Sequence, residues 1–85
     1  MILHTELIEH RGAFRLFVRF NNGVSGEINL AEELWGEMFE PLKDPALFAT
    51  AHQDNDMGTV VWANGADFAP ELLLELLNKQ SRQAA

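Results

Sequence analysis

Ala13-Phe14-Arg15-Leu16-Phe17-Val18-Arg19-Phe20-Asn21-Asn22-Gly23-Val24-Ser25-Gly26-Glu27-Ile28-Asn29-Leu30 is the stretch that decides the fold. Side chains alternate between the two faces of a strand. Phe14, Leu16, Val18 and Phe20 therefore share one face, and Arg15, Phe17 and Arg19 share the other. Asn and Gly tolerate positive φ, so Asn21-Asn22-Gly23 reads as a tight turn. The alternation then resumes, with Val24, Gly26, Ile28 and Leu30 set against Ser25, Glu27 and Asn29. Two alternating runs around an Asn-Gly step predict a β-hairpin.

Working outward, Leu3 to Glu9 reads as a preceding strand, joined through the turn His10-Arg11-Gly12. After the hairpin, Ala31-Glu32-Glu33-Leu34-Trp35 starts a helix with acids in its first turn, where the helix dipole favours them. Leu34, Trp35, Met38 and Phe39 have helical spacing. Gly36 weakens the middle, and Pro41 disfavours helix at Glu40, so the segment predicts one or two turns. Asp44-Pro45 is a second start signal, Asp as cap and Pro at the first helical position. Thr50 to Asp54 and Thr59 to Ala63 read as a second hairpin around Asn55-Asp56-Met57-Gly58. Pro70 to Gln80 reads as the last helix, and residues 80–85 as a frayed tail. The expectation is one domain over 1–85 of the α+β class. A small antiparallel sheet is built from two β-hairpins, with short helical turns in the middle and the C-terminal helix packed on one face.

Composition narrows the function classes. The chain has 85 residues, and a chain this short buries only about two thirds of its unfolded surface. It has no cysteine, which excludes disulfides, thiolate metal sites and thiol nucleophiles. No apolar run approaches the roughly 20 residues that span a bilayer, and the N-terminus does not read as a signal peptide. A cytoplasmic protein is expected. Thirteen acids face six Lys and Arg, for a formal charge of −7. Arg11, Arg15 and Arg19 form the only basic group, so neither direct nucleic-acid binding nor an anionic membrane is expected. A basic protein partner fits this charge.

The eleven residues Trp62-Ala63-Asn64-Gly65-Ala66-Asp67-Phe68-Ala69-Pro70-Glu71-Leu72 join the last strand to the last helix. Asn64-Gly65 suits a sharp reversal, and Asp67 stands where its carboxylate can cap the helix start. Trp62 is expected to pack into the core and bond its indole N–H. In a functional reading, Trp62, Asn64 and Asp67 form a small-ligand turn at the helix N-terminus. Asp67 and Glu71 would repel an anion there.

Pro41-Leu42-Lys43-Asp44-Pro45 with Phe48, and Trp62 with Asn64-Gly65-Ala66-Asp67 and Pro70-Glu71-Leu72, together resemble the two signatures of the prokaryotic domain-of-unknown-function family 2442. The likeness covers nearly the whole chain. It implies a short α+β domain of uncharacterised function, seen alone or joined to a helix-turn-helix segment, and this chain resembles the stand-alone form. Many members are encoded beside another small protein, as in toxin–antitoxin pairs. The resemblance implies no catalytic residues.

Other chemistry has little footing. His4, His10 and His52 share no metal spacing. His52, Asp54 and Asp56 share a strand face, which is the pattern of a solvated strand as much as of a metal site. Ser25 and Ser81 sit in no nucleophile elbow, and no phosphate loop is present. No catalytic residue, cofactor or metal is expected. The last helix is the strongest partner signal. At about 100° per residue, Leu72, Leu73, Leu74, Leu76 and Leu77 cover roughly 200° of its circumference, more than one stripe needs. Leu74 and Leu77 are the expected uncovered edge. The expected interface is Leu73, Leu74 and Leu77, with Trp35 and Phe39 from the middle segment. It would serve a homodimer or a small co-encoded protein. A ligand-binding regulatory domain using the Trp62–Pro70 turn, and an antitoxin-like acidic partner of a basic toxin, are the alternatives.

Overall fold

Period-two alternation produces a meander. Thr5–His10 (β1), Arg15–Phe20 (β2) and Ser25–Asn29 (β3) form an antiparallel sheet in the order β1-β2-β3 in the computed structural model, which describes residues 2–83. Leu16, Val18 and Phe20 of β2, Ile28 of β3 and Leu30 beyond it are fully buried. Burial of each such side chain is worth about 1.5–3 kcal/mol. The alternation relaxes at the strand ends, where Phe14 is half-buried and Val24 is exposed. Gly23 takes φ +87° in the turn, and the Asn22 side chain accepts the Val24 N–H at 3.0 Å. On the outer face Arg19 pairs with Glu6, Arg15 with Glu27 and Arg11 with Glu9, at 3.6, 3.6 and 2.8 Å. The Arg11 guanidinium also lies 4.8 Å from the centre of the Phe17 ring.

The second hairpin, His52–Asp54 (β4) with Thr59–Val61 (β5), forms its own two-stranded antiparallel sheet. Thr5 stitches the two sheets together, at a register shift between Thr5 and Leu7 in β1. Its N–H donates to the Gly58 carbonyl at 2.9 Å, and its carbonyl accepts from the Gln53 amide at 2.8 Å. Its buried hydroxyl donates to the Gln53 side-chain carbonyl. Both hairpins thus contribute strands to one core, divided into two sheets.

The middle segment forms the expected short helical turns. It makes 3-10 turns at Ala31–Glu33 and Glu40–Lys43, then the one-turn helix Pro45–Phe48 (α1). Gly36 takes φ +89°, a conformation that ends a helix. Leu34 is buried, while Trp35 and Met38 turn outward. Asp44 caps α1 as expected, its carboxylate accepting the Ala46 N–H at 3.1 Å.

Pro70–Gln83 (α2) lies against the meander. Leu73, Leu76 and Leu77 are its buried stripe. A Cβ on Gly26 would sit 2.7 Å from Leu77 Cδ1, so the bare glycine of β3 is what lets the helix approach. The Gln80 side chain then bonds Asn29 on both sides: it accepts the Asn29 N–H at 2.9 Å and donates to the Asn29 carbonyl at 2.8 Å. The helix runs on to Gln83; the end of the expected frayed tail, residues 84 and 85, lies outside the described residues. Among the described residues, no helix is long and apolar enough to cross a membrane.

Candidate functional site

The turn from Trp62 to Pro70 is first a piece of architecture. The Trp62 N–H donates to the Ala66 carbonyl and the Gly65 N–H to the Trp62 carbonyl, both at 2.9 Å, with Gly65 at φ +87°. The Asn64 side chain works at both ends. Its oxygen accepts the Ala66 N–H at 3.1 Å, and its amide donates to the Met38 carbonyl at 3.0 Å. Trp62 is buried, and its indole N–H donates to the Phe48 carbonyl at 3.0 Å. Its ring is the hub of an aromatic cluster, 5.6 Å from Phe48, 6.0 Å from Phe68 and 6.5 Å from Phe39 between centroids. Trp62 and Asn64, both named for the expected ligand turn, thus each bond within the fold.

Asp67 is different. It was expected to cap the last helix, yet among the described residues its carboxylate accepts no hydrogen bond. The nearer asparagine does the turn's bonding, and the backbone of Asp67 bridges to Val61 instead. The half-buried Asp67 side chain stands at the rim of a groove.

That groove is apolar and about 360 Å³ in volume. Phe39 and Phe68, stacked at 4.7 Å, are lined up with Trp35, Ala69 and Leu72, and Glu33 and Asp67 are its acidic groups. The Phe68 carbonyl accepts the buried Thr59 hydroxyl, which holds this wall in place. Trp35 is 71% exposed, Met38 48% and Leu72 36%. The groove takes Trp35 and Phe39 from the expected interface and Asp67 from the expected turn, two sets that the sequence kept apart. Phe68, Ala69, Leu72 and Glu33 were not foreseen as members.

The rest of the expected interface is elsewhere. Leu73 and Leu77 are buried in the core, 0% and 5% exposed, and Leu74 is half-buried against it. The helix turns its spare edge the other way, toward Leu72. The leucine arc is nearly symmetric: at about 100° per residue, Leu72 and Leu74 each lie roughly 100° from the middle of the Leu73–Leu76–Leu77 stripe. The wheel thus offers two edges, and periodicity alone does not distinguish them.

Two further features are structural. A polar notch of about 330 Å³ is lined by Asn29, Ala31, Glu32, Glu33 and Gln80, and the Gln80 amide in it is already paired with Asn29. The Asp54 carboxylate closes the β4–β5 turn by accepting the Asp56 and Met57 N–H groups at 2.9 and 3.0 Å, and a ring nitrogen of His52 lies 3.0 Å from the Thr50 carbonyl. Among the described residues, no three His, Asp or Glu side chains converge as metal ligands.

The fold is similar to that of a solved structure, the "Putative DNA Binding Protein NE0471" of Nitrosomonas europaea, with a TM-score of 0.81 at 21% identity. The match covers 95% of this chain and 52% of that one, so this chain spans about half its length. No curated protein matches the chain in sequence. Residues 8–78, which run from β1 through the groove and into α2, match the family described as a protein of unknown function, DUF2442. The chain belongs to the DUF2442 family.

Proposed function

We propose that this protein is a non-enzymatic interaction module that seats an apolar side chain of a protein partner in the groove between Trp35 and Leu72. The exposure of Trp35 carries the reading. A lone exposed apolar residue is ordinary. Here an exposed Trp and an exposed Leu line one recess together with a stacked aromatic pair. Aromatic anchors in apolar recesses are where binding energy concentrates at protein interfaces. Pairing with a small co-encoded protein, in the manner of an antitoxin, is one form of this reading.

The small-ligand alternative has less support, because Trp62 and Asn64 are spent on internal bonds. DNA enters as a candidate through the name of the structural neighbour. The charge of this chain weighs against it, since Arg11, Arg15 and Arg19 are each paired with a glutamate.

A displayed library of random peptides tests the proposal. Selected binders should carry a large apolar residue, compete with one another, and lose at least ten-fold in affinity against Trp35→Ala. Binders indifferent to Trp35→Ala, or no enrichment at all, would count against it.

A further inference from the structure

We infer that the occupant of the groove is a cationic amphipathic segment of a different protein. It presents one large apolar side chain to the recess and Lys or Arg to the acidic groups beside it. This rests on the docking reading above and adds the chemistry of the partner.

Three observations carry it. First, both ionisable groups that line the groove, Glu33 and Asp67, are acids, and among the described residues no cation lines it. Glu32 and Glu71 adjoin it in sequence and are exposed. The N-terminus of α2 adds roughly half a positive charge at this end. Asp67 and Glu71 outweigh it. Second, the recess of about 360 Å³ has room for an anchor rather than a broad interface. A stable complex buries about 800 Å² on each partner. Most of that contact must therefore come from the surroundings, and acidic surroundings select a basic partner. Third, the same charges disfavour a second copy. A two-fold contact through this face would set Glu33 and Asp67 of one chain against those of the other, on a chain of charge −7.

The test uses three synthetic 14-residue peptides and titration calorimetry on the full chain. One peptide has Leu at helical spacing with Lys elsewhere. The second has Glu in place of Lys. The third keeps Lys but has Ser in place of Leu. At 50 mM salt the Lys–Leu peptide should bind at least ten-fold more tightly than the Glu–Leu peptide, and the ratio should shrink at 0.5 M salt. Trp35→Ala should weaken it at least ten-fold and Asp67→Asn about two- to five-fold. Glu6→Gln, on the far face of the meander, should leave it unchanged. Thermal melts of each variant report on folding.

Equal binding of the Glu–Leu peptide, with the same dependence on Trp35, would overturn the cationic partner and leave the docking groove standing. A homodimer in sedimentation that Trp35→Ala dissociates would do the same. Binding of the Lys–Ser peptide as tightly as the Lys–Leu peptide would reduce the effect to adhesion on an acidic surface, and would overturn both. No binding of any peptide at 1 mM would also overturn both.

Discussion

Asn64 and Asp67 stand three residues apart in the same turn, and the structure gives them opposite duties. Asn64 satisfies an N–H and a carbonyl at once, one in its own turn and one 26 residues away at Met38. Truncating it leaves both groups to find water, and each lost bond of this kind costs about 0.5–1.5 kcal/mol. Asn64→Ala should therefore lower stability by about 1–2 kcal/mol in urea titration, and loosen the loop that presents Trp35. Asp67→Asn removes a charge that no hydrogen bond uses among the described residues. It should change stability by less than about 0.5 kcal/mol, as surface substitutions do. A loss for Asp67→Asn as large as that for Asn64→Ala would return Asp67 to a structural role and take it out of the groove. Either side chain suits a cap or turn by type. Choosing between them needs the position of the Met38 carbonyl, which local sequence does not encode.

The same distinction between local and distant information governs the elements. The first hairpin was legible because its period and its turn residues lie within eighteen consecutive positions. The last helix was legible for its length, but its phase was not: Leu72 and Leu74 flank the buried stripe almost evenly, and only the tertiary packing leaves Leu72 exposed and Leu74 half-buried. The middle segment was legible as short turns, because Gly36, which takes a left-handed φ, interrupts the helical spacing of Leu34, Trp35, Met38 and Phe39. One long-range determinant can be tested directly. Gly26 lies beneath Leu77, and a larger side chain there must displace the leucine or lift the helix. Gly26→Val should cost about 1–3 kcal/mol by overpacking. Leu77→Ala should cost about 2–5 kcal/mol through the cavity it leaves. Combined, the two should cost clearly less than the sum of the single effects, since the valine fills part of the space vacated. Strict additivity would show that the close approach of α2 to β3 does not depend on this pair.

For the molecule as a whole the open question is electrostatic. The fold is similar to that of a structure named for DNA binding, at an identity of 21%, where shared architecture does not bring shared charge. Affinity for duplex DNA comes chiefly from cations that displace counterions at phosphates. This chain offers six Lys and Arg against thirteen acids. Lys43 is paired with Glu40, and the three arginines of the meander are each within 3.6 Å of a glutamate. Such exposed pairs add little stability, about 0–1 kcal/mol each. They do cancel the local field that a phosphate would meet. A 20-base-pair duplex at 50 mM salt should therefore show no binding below about 100 μM in anisotropy titrations, a value weaker than the bulk of non-specific complexes. Replacing Glu6, Glu9 and Glu27 together by Gln frees the arginine face and supplies the contrast. Detectable, strongly salt-dependent binding should appear in that variant alone. Sub-micromolar binding by the unaltered chain, weakening as salt rises, would mean that the paired arginines exchange their glutamates for phosphates. The outer face of the meander would then become the working surface in place of the groove.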